Sequence, residues 1–269
     1  WDPNTGGFYK WALTATVGKD HPNGSYAISN SAYIAAKQDA WATGEVLKAS
    51  EAGLIDVSLL GNDYTRAISR LQFCSVAVKM AEKMAGKAIT PAPSGTFSDT
   101  DSEYARKAAT AGITQGVGGG RYNPTGQITK GDFALMLVRA FGFTASDTVS
   151  FKDVPADSYY AQAISVAHQL GIATGYNGSF EPKRALTRQE AMLMVYRALQ
   201  ADGNPLNNGL TADLSVYRDS GQIAGGAREA LGALILMGVV EGDGNGTLRP
   251  LDRLNRAETA CLMHRLMTL

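Results

Sequence analysis

Four cations in one repeated setting are the residues of this chain best placed to do chemistry. Arg70, Lys130, Arg188 and Arg256 each follow an aliphatic residue and a Ser, Thr or Asn. Two residues beyond each cation stands Gln72, Asp132, Glu190 or Glu258, and an apolar helical pattern follows every time. Ser69, Thr129, Thr187 and Asn255 are helix N-cap types, because their side-chain oxygen accepts from a free backbone N–H. The Gln, Asp or Glu three residues after each cap can reach back to the cap's own N–H, completing a capping box. That explains every position except the cation, which falls in the first helical turn at the positive end of the dipole. A cation placed there in four copies implies an anionic partner. Two partners satisfy the requirement: a carboxylate of the same chain, or an acidic ligand held at an Arg-flanked helix N-terminus.

Other chemistry lacks its residues. His21, His168 and His264 stand in no metal-ligand spacing with one another or with Cys, so no zinc site is expected. Asp243 to Thr247 resembles the first half of a calcium loop, but its twelfth position is Leu254 rather than Glu, and the stretch reads as a turn. Gly116 to Gly120 is not followed by Gly-Lys-Ser/Thr, so it is no phosphate loop. The carboxylates that could suggest a glycosidase are already explained as capping-box partners. No catalytic residue, metal or cofactor is expected, and the chain reads as a non-enzyme. Cys74 and Cys261 fall on the apolar sides of capped helices and read as buried free thiols; a bridge between them stays open if those helices are neighbours.

The totals narrow the class further. The chain has 269 residues, with Lys+Arg 25 and Asp+Glu 25, and this zero net charge argues against nucleic acid as a partner. Its longest apolar stretch, Leu231 to Val240, is too short and too interrupted by Gly to insert in a membrane. It begins at Trp1 rather than Met and reads as a mature or trimmed fragment.

The elements that position the cations recur with them, at spacings of 60, 58 and 68 residues. Each full unit has an aromatic-x-Asp opening, a helix, a Gly-rich loop, an apolar-x-Pro step and the capped helix. The pattern predicts helices over about 41–53, 70–84, 103–111, 130–141, 159–170, 188–200, 225–237 and from 256 onward. The units divide as a divergent repeat at 37–90, repeats at 91–145, 146–203 and 204–269, and an unassigned segment at 1–36, in which Phe8 to Val17 fits a short strand or a helix and Tyr26 to Ala36 fits the start of a helix. A unit of roughly 50 residues cannot bury enough apolar surface alone, so the copies must pack on each other and leave clefts between them.

Phe151-x-Asp153, Tyr159-Tyr160, Leu170-Gly171-Ile172, Gly175, Phe180-x-Pro182 and Leu186-Thr187-Arg188-Gln189-Glu190 together resemble the S-layer homology domain. The resemblance covers 97 to 269 as three copies in register. It extends weakly to 38–86, which lacks the Gly loop and the Phe-x-Pro step. It implies a mainly α fold: helix-loop-helix repeats packed as a pseudo-threefold bundle, with the divergent first copy either capping it or packing with residues 1 to 36. It also implies a place on the bacterial cell surface, and a secondary cell-wall polymer attached to peptidoglycan as partner, its acidic groups such as a pyruvate ketal held in grooves between copies. Carried over by position, Arg188 and Arg256 act in those grooves with Asp99, Asp153 and Asp219. The Gly-rich loops, with Gly116, Gly175 and Gly242, offer backbone N–H groups and room for a sugar. Lys130 keeps the charge but loses the planar fork. Arg70 has no Gly loop beside it in its own copy, and Tyr159-Tyr160 stands where the family usually has Trp.

Two functional readings result. In the first, the chain is a non-catalytic anchor that binds acidic wall polysaccharide. In the second, the repeats are a scaffold, and another surface or host protein binds elsewhere on it.

Overall fold

The computed structural model describes residues 42–56, 63–203, 206 and 209–267. The segment 1–36, left open between strand and helix, lies outside the described residues. Eight α-helices are present among the described residues: α1 Thr43–Glu51, α2 Arg70–Ala85, α3 Glu103–Thr110, α4 Lys130–Ala140, α5 Ala161–Gln169, α6 Arg188–Ala201, α7 Gly225–Leu236 and α8 Arg256–Leu266. They fall where the apolar periodicity predicts them, and no strand accompanies them among the described residues, only isolated bridges.

The four repeated cations are the first residues of α2, α4, α6 and α8, and each of these helices carries its capping box. At α8, for example, Glu258 N donates to Asn255 Oδ1 at 2.7 Å and Asn255 N donates to Glu258 Oε2 at 2.9 Å. Local sequence is enough to start these helices, because both partners lie within one turn.

The packing is not local. Helix α3 of the second copy packs on α2 of the first, α5 on α4, and α7 on α6. Helix α1, from the divergent first copy, packs on α8, the last helix of the chain. The chain therefore closes on itself. The three well-matched copies occupy successive sides of the bundle, and the first copy joins them as a fourth side.

Backbone hydrogen bonds stitch the same ring. The first two N–H groups of each capped helix donate to carbonyls just ahead of the next copy's capping box. Arg70 N and Leu71 N donate to Gly126 O and Pro124 O at 2.7 and 3.0 Å; Lys130 N and Gly131 N donate to Arg184 O and Pro182 O, both at 2.9 Å. Arg188 N and Gln189 N donate to Asp252 O and Pro250 O at 2.7 and 3.0 Å. Arg256 N and Ala257 N close the circle on Arg66 O and Tyr64 O, both at 3.1 Å. The aliphatic residue before each cap, Ile68, Ile128, Leu186 or Leu254, is buried, and all four line one small internal cavity of about 20 Å³.

Cys74 and Cys261 are buried free thiols, as their apolar positions predict. Burial pushes the Cys74 thiol up to about 11 and the Cys261 thiol up to about 12, so neither is a nucleophile near neutral pH. No helix among the described residues is long and apolar enough to cross a membrane.

Candidate functional site: the junctions between repeats

At two of the four junctions the cation of one capped helix pairs with the capping acid of the next. At the first junction, Arg70 Nη1 pairs with the Asp132 carboxylate, and both side chains are buried. Arg70 Nη2 also donates to Thr114 Oγ1 at 3.2 Å, Gly116 O at 3.4 Å and the Tyr159 hydroxyl at 3.4 Å. The Tyr159 hydroxyl in turn donates to Asp132 Oδ1 at 2.6 Å. Burial works against the Arg70 charge, and the neighbouring carboxylate more than compensates, raising its pKa.

The third junction repeats this arrangement. Arg188 Nη1 lies 2.8 Å from Glu258 Oε1, and Arg188 Nη2 donates to Glu241 O at 2.8 Å. Arg249 binds the same Glu258 carboxylate. Of the two anionic partners open from sequence, the internal carboxylate is the one Arg70 and Arg188 meet. It belongs to the next copy, never to their own.

The second junction differs. Its capping acid, Glu190, is held by Arg184 at 2.5 Å. Lys130 Nζ donates instead to Thr174 O at 2.9 Å and sits 4.3 Å from the centre of the Phe180 ring. Desolvation lowers the Lys130 pKa. No carboxylate lies within ion-pair distance of Lys130 among the described residues. At the fourth junction the facing capping residue is Gln72, not an acid, and Arg256 Nη1 donates to Asp63 O at 3.1 Å.

The opening aspartates hold loops. Asp99 accepts from Tyr122 N and Asn123 N at 2.7 and 2.8 Å, and Asp153 accepts from Phe180 N and Glu181 N at 2.8 and 2.7 Å. Asp219 accepts from Leu248 N and Arg249 N at 2.9 and 2.7 Å. In each case the second donor, Asn123, Glu181 or Arg249, is a non-glycine residue at positive φ. That conformation is strained for an L residue and persists only where its surroundings fix it. The following proline then offers its carbonyl to the preceding copy's capped helix. The aspartate thus sets the turn that carries the inter-copy bond. Amide donation from Tyr122 and Asn123 lowers the Asp99 pKa; for Asp153, burial raises it, but the amides of Phe180 and Glu181 outweigh that.

The loop glycines make room for the opening aromatic. A Cβ on Gly175 would stand 2.4 Å from Phe151 Cε1 and 2.5 Å from Ser179 O. At Gly116 it would meet Phe97 Cε1 at 2.9 Å and Arg121 O at 2.3 Å, and at Gly242 Tyr217 Cε1 at 2.8 Å. Asp243 accepts from Asn245 N and from Thr247 N and Oγ1, which is the turn its sequence suggests. No cluster of metal-ligating side chains occurs among the described residues.

One open groove, of about 440 Å³, lies at the first junction. Arg70, Asp132 and Thr129 form part of its lining, Tyr159 and Tyr160 come from the third copy, and Gln115, Asn123 and Gln127 come from the second. The sequence marks the cation as a candidate site residue. The roles of Tyr159, Arg184 and Arg249 were missed; the signal was a set of capping acids, each able to accept more than its cap donates.

The family described as the S-layer homology domain matches residues 96–134, 150–192 and 216–260. The chain carries three S-layer homology domains. Its similar proteins are bacterial surface proteins and enzymes. The "Surface-layer 125 kDa protein" of Lysinibacillus sphaericus is 30% identical over 172 residues, which is 61% of this chain and 14% of that protein. An "Endoglucanase" of a Bacillus species is 29% identical over 157 residues, 58% of this chain and 16% of the enzyme. A "Cellulosome-anchoring protein" of Acetivibrio thermocellus is 25% identical over 161 residues, 58% of this chain and 35% of that protein. The chain thus spans a minor part of the relatives it matches. These domains and relatives place the chain among bacterial cell-surface and cell-wall proteins. The three S-layer homology matches coincide with the second, third and fourth sides of the ring, and the first side lies outside them.

Proposed function

We propose that this S-layer homology chain is a non-catalytic module that anchors a bacterial surface protein by binding secondary cell-wall polysaccharide in the grooves between its repeats. The observation that carries the reading is the groove at the first junction, where aromatic rings and side-chain amides from two copies converge on a space large enough for sugar residues. The polymer's acidic groups, a pyruvate ketal among the candidates, fit the second junction best. There Lys130 has a carbonyl and a ring as neighbours and no paired carboxylate among the described residues, whereas Arg70 and Arg188 already hold internal acids. We assign the units as 37–90, 91–145, 146–203 and 204–269.

Co-sedimentation with purified sacculi, before and after chemical removal of the secondary polymer, tests the reading. Binding lost on stripping is the expected result. Equal binding to stripped and unstripped sacculi sinks it.

A second reading has its own support. The burial of Arg70 and Arg188 in internal ion pairs is what a scaffold of repeats would need, with a surface or host protein bound elsewhere. A pull-down that returned a protein and no polysaccharide would favour it.

A further inference from the structure

The charges around the first-junction groove cancel. Arg70 is matched by Asp132 at its floor. Lys183 and Asp157, both exposed, are the other charged residues of the lining. The remaining polar groups are neutral. The side-chain amides of Gln115, Asn123 and Gln127 are exposed and make no side-chain hydrogen bond among the described residues. The helix N-terminus beside the groove offers little to an anion. Lys130 N and Gly131 N already donate to Arg184 O and Pro182 O, and Asp132 N donates to the Thr129 cap at 3.2 Å.

The aromatic wall is specific to this junction. Tyr159 and Tyr160 pack edge to face, 4.6 Å between ring centres. Counted back from Gly112, Gly171 and Gly238, their counterparts are Thr100 and Asp101 in the second copy and Gly226 and Ala227 in the fourth. The Tyr159 hydroxyl is fixed by Asp132, so its ring is held in place before any ligand arrives.

We propose that this groove is a subsite for an uncharged pyranose of the wall polymer, held against the Tyr159 ring and by the Gln115, Asn123 and Gln127 amides, and that it does not take the polymer's acidic group. The inference rests on the anchoring reading and adds a division of labour to it. A neutral sugar binds at the first junction, and the acidic group binds next door at Lys130. The two places adjoin, since a Cβ on Gly131, the neighbour of Lys130, would stand 3.3 Å from the Tyr160 ring.

The test uses polysaccharide released from sacculi that retain the chain, in native form and with its carboxyl groups reduced to hydroxyls. Calorimetric titration is run on the intact chain and on Lys130→Ala, Tyr159→Phe, Tyr159→Ala and Gln127→Ala, with thermal melting of each variant. The reduced polymer should still bind, and Lys130→Ala should weaken the native polymer more than the reduced one. Tyr159→Ala should weaken binding of the reduced polymer by about tenfold, the scale of one stacked ring, while Tyr159→Phe, which keeps the ring but loses its bond to Asp132, should weaken it less. Gln127→Ala keeps the fold and should weaken it by about threefold, the scale of one hydrogen bond. If reduced polymer fails to bind where native polymer binds, recognition is wholly acidic and the subsite is wrong, though the anchor stands. Reduced polymer that binds Tyr159→Ala and Gln127→Ala as tightly as the parent also overturns it, as does equal loss in Tyr159→Phe and Tyr159→Ala. Retention by no sacculus would remove the anchoring reading and this subsite together.

Discussion

The Arg70 guanidinium, at the start of one capped helix, binds the Asp132 carboxylate that completes the capping box of the next. One acid therefore closes a local motif and a long-range junction at once. Arg188 and Glu258 repeat the relationship two copies later. A cation at a helix N-terminus, unfavourable on local grounds, is offset by an acid that another helix supplies.

Arg70→Ala should cost about 3–5 kcal/mol of stability, because it strands a buried carboxylate. Urea unfolding measures it. A double variant, Arg70→Leu with Asp132→Leu, should lose less than the sum of the singles, though it also gives up the Asp132 capping contact. Arg188→Ala should fall near or below the lower end of that range, since Arg249 still binds Glu258. Loss of polymer binding in that variant would therefore report structure first, and must be read beside its melting curve.

Gly175→Ala should destabilise the protein by about 1–3 kcal/mol or more, because its methyl would overlap Phe151 and a backbone carbonyl. A thermal melt would show it. A Gly175→Ala protein as stable as the parent would mean the loop moves freely away from the ring.

Glu181→Gly should stabilise the loop by about 1 kcal/mol, since glycine removes the positive-φ strain that Asp153 now holds in place. Asp153→Ala should act in the opposite direction and by more, leaving two amides without their acceptor. Chemical denaturation of both variants checks the pair of signs.

Acid should loosen the ring at its closure. Burial raises the Glu45 pKa, but hydrogen bonds from Lys48 and His264 and the field of Arg265 hold it at about 2, against an ordinary 4.5. A carboxyl depressed on folding stabilises the fold fully above its unfolded pKa, and that contribution is lost as pH falls through the folded value. Hydrogen-exchange protection factors at α1, corrected for the intrinsic rate at each pH, should therefore fall between pH 4.5 and about 2, and Glu45→Gln should remove Glu45's share of that fall.

Binding of acidic polymer should weaken in alkali before ordinary lysines titrate. Desolvation lowers the Lys130 pKa below its usual 10.5, so its charge is lost early. Lys130→Arg should hold binding constant across that range in a calorimetric pH series.

The sequence by itself determined the helices, their caps and their repetition. Capping is a contact over three residues, apolar periodicity is read within one helix, and Ser69, Thr129, Thr187 and Asn255 act where local rules put them. It also pointed to an anionic partner for Arg70, Lys130, Arg188 and Arg256, and Arg70 and Arg188 meet one within the fold. It did not determine whose. Arg70 and Asp132 lie 62 positions apart, and a carboxylate of the chain satisfies the same electrostatics as one on a ligand. The opening aspartates and loop glycines carried the same ambiguity, and in the fold they meet backbone amides and the opening aromatic rings. Ring closure was hidden for a related reason. Helix α1 buries its apolar face on α8, at the other end of the chain, and an apolar stripe states that it needs a partner without stating which one. Only the tertiary structure selected the partner, giving Arg70 and Arg188 an acid of the next copy and Lys130 a carbonyl and a ring.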